Sequence, residues 1–81
     1  MNRQTSKLLN ILLNSPGQYF HYEELAARFQ VSTRSIRNYT QSILDFLEDL
    51  QMPSALTVSE GGIAFTGGAE ESSLLLQAAV D

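Results

Sequence analysis

Residues 31–50, VSTRSIRNYTQSILDFLEDL, decide the fold, because they read as one uninterrupted helix with two unlike faces. Ser32 is a favoured helix cap, its hydroxyl able to accept from a first-turn amide, and neither Pro nor Gly follows it within the segment. Ile36, Thr40, Ile43, Leu47 and Leu50 recur at steps of three and four, flanked by Tyr39, Leu44 and Phe46, so one broad stripe is expected to bury. The other face is polar and unevenly charged. Thr33, Arg34, Ser35, Arg37, Asn38 and Gln41 fill its first half; Asp45, Glu48 and Asp49 fill its second. A helix start is stabilised by acids and a helix end by bases, each by about 0.3–1 kcal/mol. This segment is charged the other way round. Local rules are broken where a site needs them broken, and two arginines beside first-turn amides make a place for a phosphate. The competing reading is that Arg34 and Arg37 are solvated or pair with nearby carboxylates.

Towards the N-terminus, Gln30-Val31-Ser32 forms a short connection to a second helix expected over Tyr22–Phe29, the spacing of a helix-turn-helix. Glu23 and Glu24 suit that helix's start, and Leu25, Ala26 and Phe29 form its inward stripe. Small Ala26 lets two helices cross closely, with Val31 plugging the corner. His21 would stand at the cap, for which it is a poor residue type, and reads as a partly packed imidazole. Tyr19–His21 suits a short edge strand. Before it, Asn14-Ser15-Pro16-Gly17 predicts a type II turn, with Pro16 presetting one central φ and Gly17 supplying a positive one. Thr5–Asn14, dense in Leu8, Leu9, Ile11, Leu12 and Leu13, predicts a first, deeply packed helix.

Towards the C-terminus, Pro53 prevents the long helix from continuing. Leu56 and Val58, then Ile63 and Phe65, alternate with smaller or polar residues around Glu60-Gly61-Gly62. A Gly61-Gly62 turn would pair Val58 with Phe65 and set all four apolar residues on one face. Gly67-Gly68 closes this hairpin. A last helix is expected over 69–81, with Glu70 and Glu71 in its first turn and Leu74, Leu75, Leu76, Ala78, Ala79 and Val80 behind them.

An 81-residue chain with 43% hydrophobic residues has material for one compact domain. No run of about 18 apolar residues is present to span a membrane and the N-terminus lacks a secretion-signal pattern, so a cytoplasmic protein is expected. With no cysteine and one histidine, neither a disulfide nor a metal site nor a cofactor is expected. Ser32, His21 and Glu24 could be written as a catalytic triad, but on a cap, a turn and a helix of so small a domain they do not predict an enzyme. The net charge of −4 is atypical of a nucleic-acid binder, yet its distribution is directional. All five bases, Arg3, Lys7, Arg28, Arg34 and Arg37, precede residue 40, against only two acids there, Glu23 and Glu24; the remainder holds seven acids and no base.

Three helices, the second and third at helix-turn-helix spacing, and then a glycine-turn hairpin describe a mainly α winged helix-turn-helix over residues 1–68. Residues 69–81 read as the start of a linker or helix leading to a further or partner region. The run YEELAARFQVSTRSIRNYTQSI (residues 22–43) resembles the N-terminal helix-turn-helix of bacterial sugar-operon regulators of the BglG and mannitol-activator type. It is similar also to the DNA-binding domains of the biotin repressor and of Mga-type virulence regulators. Glu24-Leu25-Ala26, Val31-Ser32 and Arg34-Ser35-Ile36 carry the match, which extends over roughly residues 5–68. Gln30 departs from it, standing where Gly usually permits a left-handed turn, at a cost of about 1–2 kcal/mol. Tyr39-Thr40 replaces an Asp-Ile pair, and the hairpin has Glu60 near its tip and no Lys or Arg, which puts the usual wing contact to phosphate in doubt.

The resemblance implies sequence-specific binding to double-stranded DNA by a homodimeric regulator of a carbohydrate operon, with phosphotransferase proteins acting on domains further along. Thr33, Arg34, Arg37, Asn38 and Gln41 are the expected base or phosphate contacts, and Ser35 a weaker one. Arg28 and Lys7 would set position on the backbone. The alternative is a winged-helix module for protein–protein interaction, since fold does not fix function.

Overall fold

A computed structural model describes residues 2–79. The architecture is mainly helical, with a small antiparallel sheet: α1 Arg3–Asn14, β1 Tyr19–His21, α2 Tyr22–Phe29, α3 Thr33–Asp49, β2 Leu56–Val58, β3 Gly62–Phe65 and α4 Ala69–Ala79, with a 3₁₀ turn at Pro53–Ala55. The expected continuation of α4 through Val80 and Asp81 lies outside the described residues.

Helix α1 starts two residues earlier than the apolar pattern suggests. The Asn2 side chain accepts from the Thr5 amide at 2.7 Å and so caps the helix at Arg3. Leu8, Leu9, Leu12 and Leu13 are buried, as are Leu25, Ala26 and Phe29 of α2 and Ile36, Thr40, Ile43 and Leu47 of α3. These three helices enclose one core. The Thr40 hydroxyl is satisfied there by donating to the Ile36 carbonyl at 2.8 Å. Leu50, expected to end the buried stripe, is 36% exposed instead, because the helix stops at Asp49 and the chain turns away.

The turn after α1 forms over Ser15–Gln18, with the Gln18 amide donating to Ser15 at 3.1 Å and Gly17 at φ 84°. Helices α2 and α3 end alike. Val31 donates to Ala26 and Gln30 to Ala27 after α2; Met52 donates to Leu47 and Gln51 to Glu48 after α3. In each closure the residue forced into left-handed backbone is a glutamine, Gln30 at φ 58° and Gln51 at φ 62°.

Strand β3 is the middle of the sheet, antiparallel to β1 on one side and to β2 on the other. The hairpin register differs from the expected one by two residues: Val58 faces Ile63, and Leu56 faces Phe65. The turn is centred on Glu60-Gly61, and the Ser59 amide donates to the Gly62 carbonyl across it at 2.9 Å. A shift of two keeps every side chain on its face, so Leu56, Ile63 and Phe65 are buried, but Val58 is carried to the end of the ladder and left 44% exposed. Gly62 is required by space. A Cβ there would lie 2.1 Å from the Phe20 carbonyl oxygen of β1.

Helix α4 packs on α1 through Leu75, fully buried, while Leu74 and Leu76 stay exposed. Glu71 reaches back to accept from the Gly68 amide at 3.2 Å, so one first-turn acid serves as a cap. No helix among the described residues is long and apolar enough to cross a membrane.

Candidate nucleic-acid interface

Ser32 fixes where α3 begins. Its hydroxyl accepts from the Ser35 amide at 3.1 Å, and the Ser35 hydroxyl lies 3.2 Å from it. Ser35 is thereby half-buried and bound up with the cap. Thr33, Arg34, Arg37, Asn38 and Gln41 are all exposed, because Ile36, Thr40 and Ile43 take the opposite side of the helix into the core. Arg34, Asn38 and Gln41 follow one another at four- and three-residue steps and so share a stripe. It runs about 10 Å along the axis at 1.5 Å per residue.

The members of this stripe differ in what they already hold. Among the described residues, Thr33, Arg34 and Asn38 make no side-chain hydrogen bond to the protein. Gln41 donates to the Asp45 carboxylate at 3.0 Å, one turn on. Arg37 is engaged twice. Its guanidinium carbon lies 4.9 Å from the centre of the Tyr22 ring, and one terminal nitrogen donates to the Glu60 carbonyl at 3.2 Å. Burial pushes the Tyr22 phenol above its usual pKa, partly offset by the positive charge of Arg37 beside it.

Of the two residues expected to touch only backbone phosphate, Lys7 holds its ammonium 5.1 Å from the centre of the Phe29 ring, against the end of α2. Arg28 is exposed in the last turn of α2, where a base suits the helix end. The acids Asp45, Glu48 and Asp49 are exposed on the second half of α3.

Tyr22 and the backbone of the Ser59–Gly62 turn are what sequence reasoning missed. The turn is held by three elements: the Tyr19 hydroxyl meets Ser59 Oγ at 2.6 Å, the Tyr22 amide donates to Gly61 at 2.9 Å, and Arg37 donates to Glu60. A carbonyl carries no residue signature, so only the aromatic Tyr19 and Tyr22 could have hinted at this junction. His21 packs its ring edge-on against Tyr19, centroids 4.9 Å apart, and makes no side-chain cap bond. Ser32 is committed to its cap. Among the described residues, no group of three or more His, Asp and Glu side chains gathers where it could hold a metal ion. No protein family, curated protein or solved structure matches the chain.

Proposed function

We propose that this chain is a winged helix-turn-helix domain that binds double-stranded DNA, of the kind found at the N-terminus of bacterial carbohydrate-operon regulators. The observation that carries this reading is the exposed, acid-free first half of α3, where Thr33, Arg34 and Asn38 present donors with no side-chain partner among the described residues while every acid of the helix lies beyond Gln41. A helix about 10–12 Å across fits a major groove about 12 Å wide. There Arg34 can donate in two-pronged fashion to guanine and Asn38 can do the same with adenine. Thr33 and its neighbouring first-turn amides meet the flanking phosphates, Ser35 being held in the cap, and Arg28 and Lys7 hold register on the backbone without reading sequence. The acidic second half leaves the groove. With so few cations one copy binds weakly, and a homodimer on paired half-sites supplies the rest.

The test is a fluorescence-anisotropy titration against a duplex selected from a random pool, repeated across salt concentrations. About four phosphate contacts would weaken binding on the order of 10²-fold between 50 and 200 mM salt. Arg34→Ala should weaken binding and relax specificity at one base pair. Operator binding by Arg34→Ala equal to that of the parent would defeat the groove assignment.

A second reading, a protein-interaction module, is favoured by one observation. Leu50, Met52 and Leu74 line an open groove of about 440 Å³ beside the acidic end of α3. Binding by an apolar surface would hardly respond to salt, so the same titration separates the two.

A further inference from the structure

We infer that the β2–β3 hairpin braces the start of α3 and does not serve as a second arm for DNA, and that Arg37 is the positioning residue that couples the two. The inference deepens the DNA-binding reading and rests on it only for the duplex arm of its test.

The hairpin is too short and too committed to reach outward. Its strands are three and four residues long. Its turn is tied down on three sides, the Ser59 and Tyr19 hydroxyls sharing a hydrogen bond and the Glu60 and Gly61 carbonyls accepting from Arg37 and from the Tyr22 amide. Backbone contact at Gly62 is so close to Phe20 that no side chain fits between. The tip is therefore pinned to the junction of β1 and α2. It offers phosphate no cation, for residues 50–68 contain no Lys or Arg, and Glu60 adds a negative charge.

Arg37 joins this junction to α3. Its guanidinium plane can lie on the Tyr22 ring while an edge N–H points at the Glu60 carbonyl, so a single planar group satisfies both contacts. A lysine ammonium can make either contact but has no such plane and edge. The position sits one residue before Asn38 and three after Arg34, so fixing Arg37 against the hairpin sets the rotation at which those two donors are presented. Base reading then belongs to Arg34 and Asn38, and Arg37 acts through them.

Two measurements on the whole chain test this. In the free protein, amide hydrogen exchange at Ser59 and Tyr22 reports the hairpin closure. Arg37→Ala should accelerate both by roughly tenfold, from loss of a hydrogen bond and a cation–π contact. Arg37→Lys should also accelerate them despite keeping the charge. With duplex DNA, Arg37→Ala should weaken binding while leaving the salt dependence as in the parent, whereas Lys7→Ala, which removes a phosphate contact, should lower the slope of log affinity against log salt by about 0.9. Unchanged exchange in Arg37→Ala, or a slope reduced as in Lys7→Ala, would overturn the brace. Absence of duplex binding by the parent would defeat the DNA reading, and the exchange data would still decide what Arg37 does.

Discussion

The two halves of α3 share one core face and differ on every other count. Ile36 and Thr40 bury the first half, Ile43 and Leu47 the second, so packing treats them alike. Outside, the first half has Arg34 and Arg37 and no acid, and the second has Asp45, Glu48 and Asp49 and no base. Both arrangements oppose the helix dipole. What the difference teaches is that the outer face is not arranged for the stability of the helix, which is what the DNA-binding reading would explain.

The comparison can be broken first at its common part. Ile36→Ala and Leu47→Ala each remove a fully buried side chain and should each cost about 2–5 kcal/mol in urea unfolding. A much smaller cost at one position would mean that the halves are packed unequally and that the charge contrast has a structural cause. The next effect concerns the connections that set where α2 and α3 end. Gln30→Gly and Gln51→Gly relieve left-handed backbone at φ 58° and 62° and should each stabilise by about 1 kcal/mol. For a domain of this size that is a rise in Tm of roughly 4–8 °C, readable by calorimetry. No gain at either site would show that the glutamine side chain compensates its own strain.

The smallest effect bears most directly on the contrast. Arg34→Glu in the first turn and Asp49→Lys in the last should each raise stability, by about 0.3–1 kcal/mol at low salt. Duplex binding should respond oppositely to the first of these, disappearing in Arg34→Glu while the fold grows more stable. A variant that lost stability and binding together would instead place Arg34 within the fold's own support.

Much of this was readable from the chain. Ser32 marks its cap and the three- and four-residue steps mark the buried stripe, while Gln30 is marked as a left-handed helix end only by the resemblance, which places Gly at that position. Gln51 carries no such mark, since Pro53 is enough to end α3 and masks the closure two residues before it. Leu50 fitted the periodicity but lay past the last helical turn, and periodicity does not mark where a helix ends.

The hairpin shows a different limit. Alternation fixes which residues face the core, and it tolerates a slip of two without complaint, so Val58 could be paired with Phe65 or with Ile63 on equal terms. The choice came from contacts distant in sequence, those of Tyr19, Tyr22 and Arg37 with the turn, and from the tight approach of Gly62 to Phe20. A pair of adjacent glycines suggested a turn; one of them is there to let two backbones touch. For the candidate interface, residue types and exposure were legible in Arg34 and Asn38, but the internal commitments of Arg37 and Gln41 were not.

The order of strands across the sheet has a consequence for how the chain is made. The middle strand is the last of the three to leave the ribosome, and the edge at Tyr19–His21 is translated some forty residues before its neighbour. During synthesis the helical front of the molecule must wait with Phe20 uncovered until Ile63 arrives. A nascent chain stalled short of that point should be readily cut by protease around residue 20, and one stalled well beyond it should not.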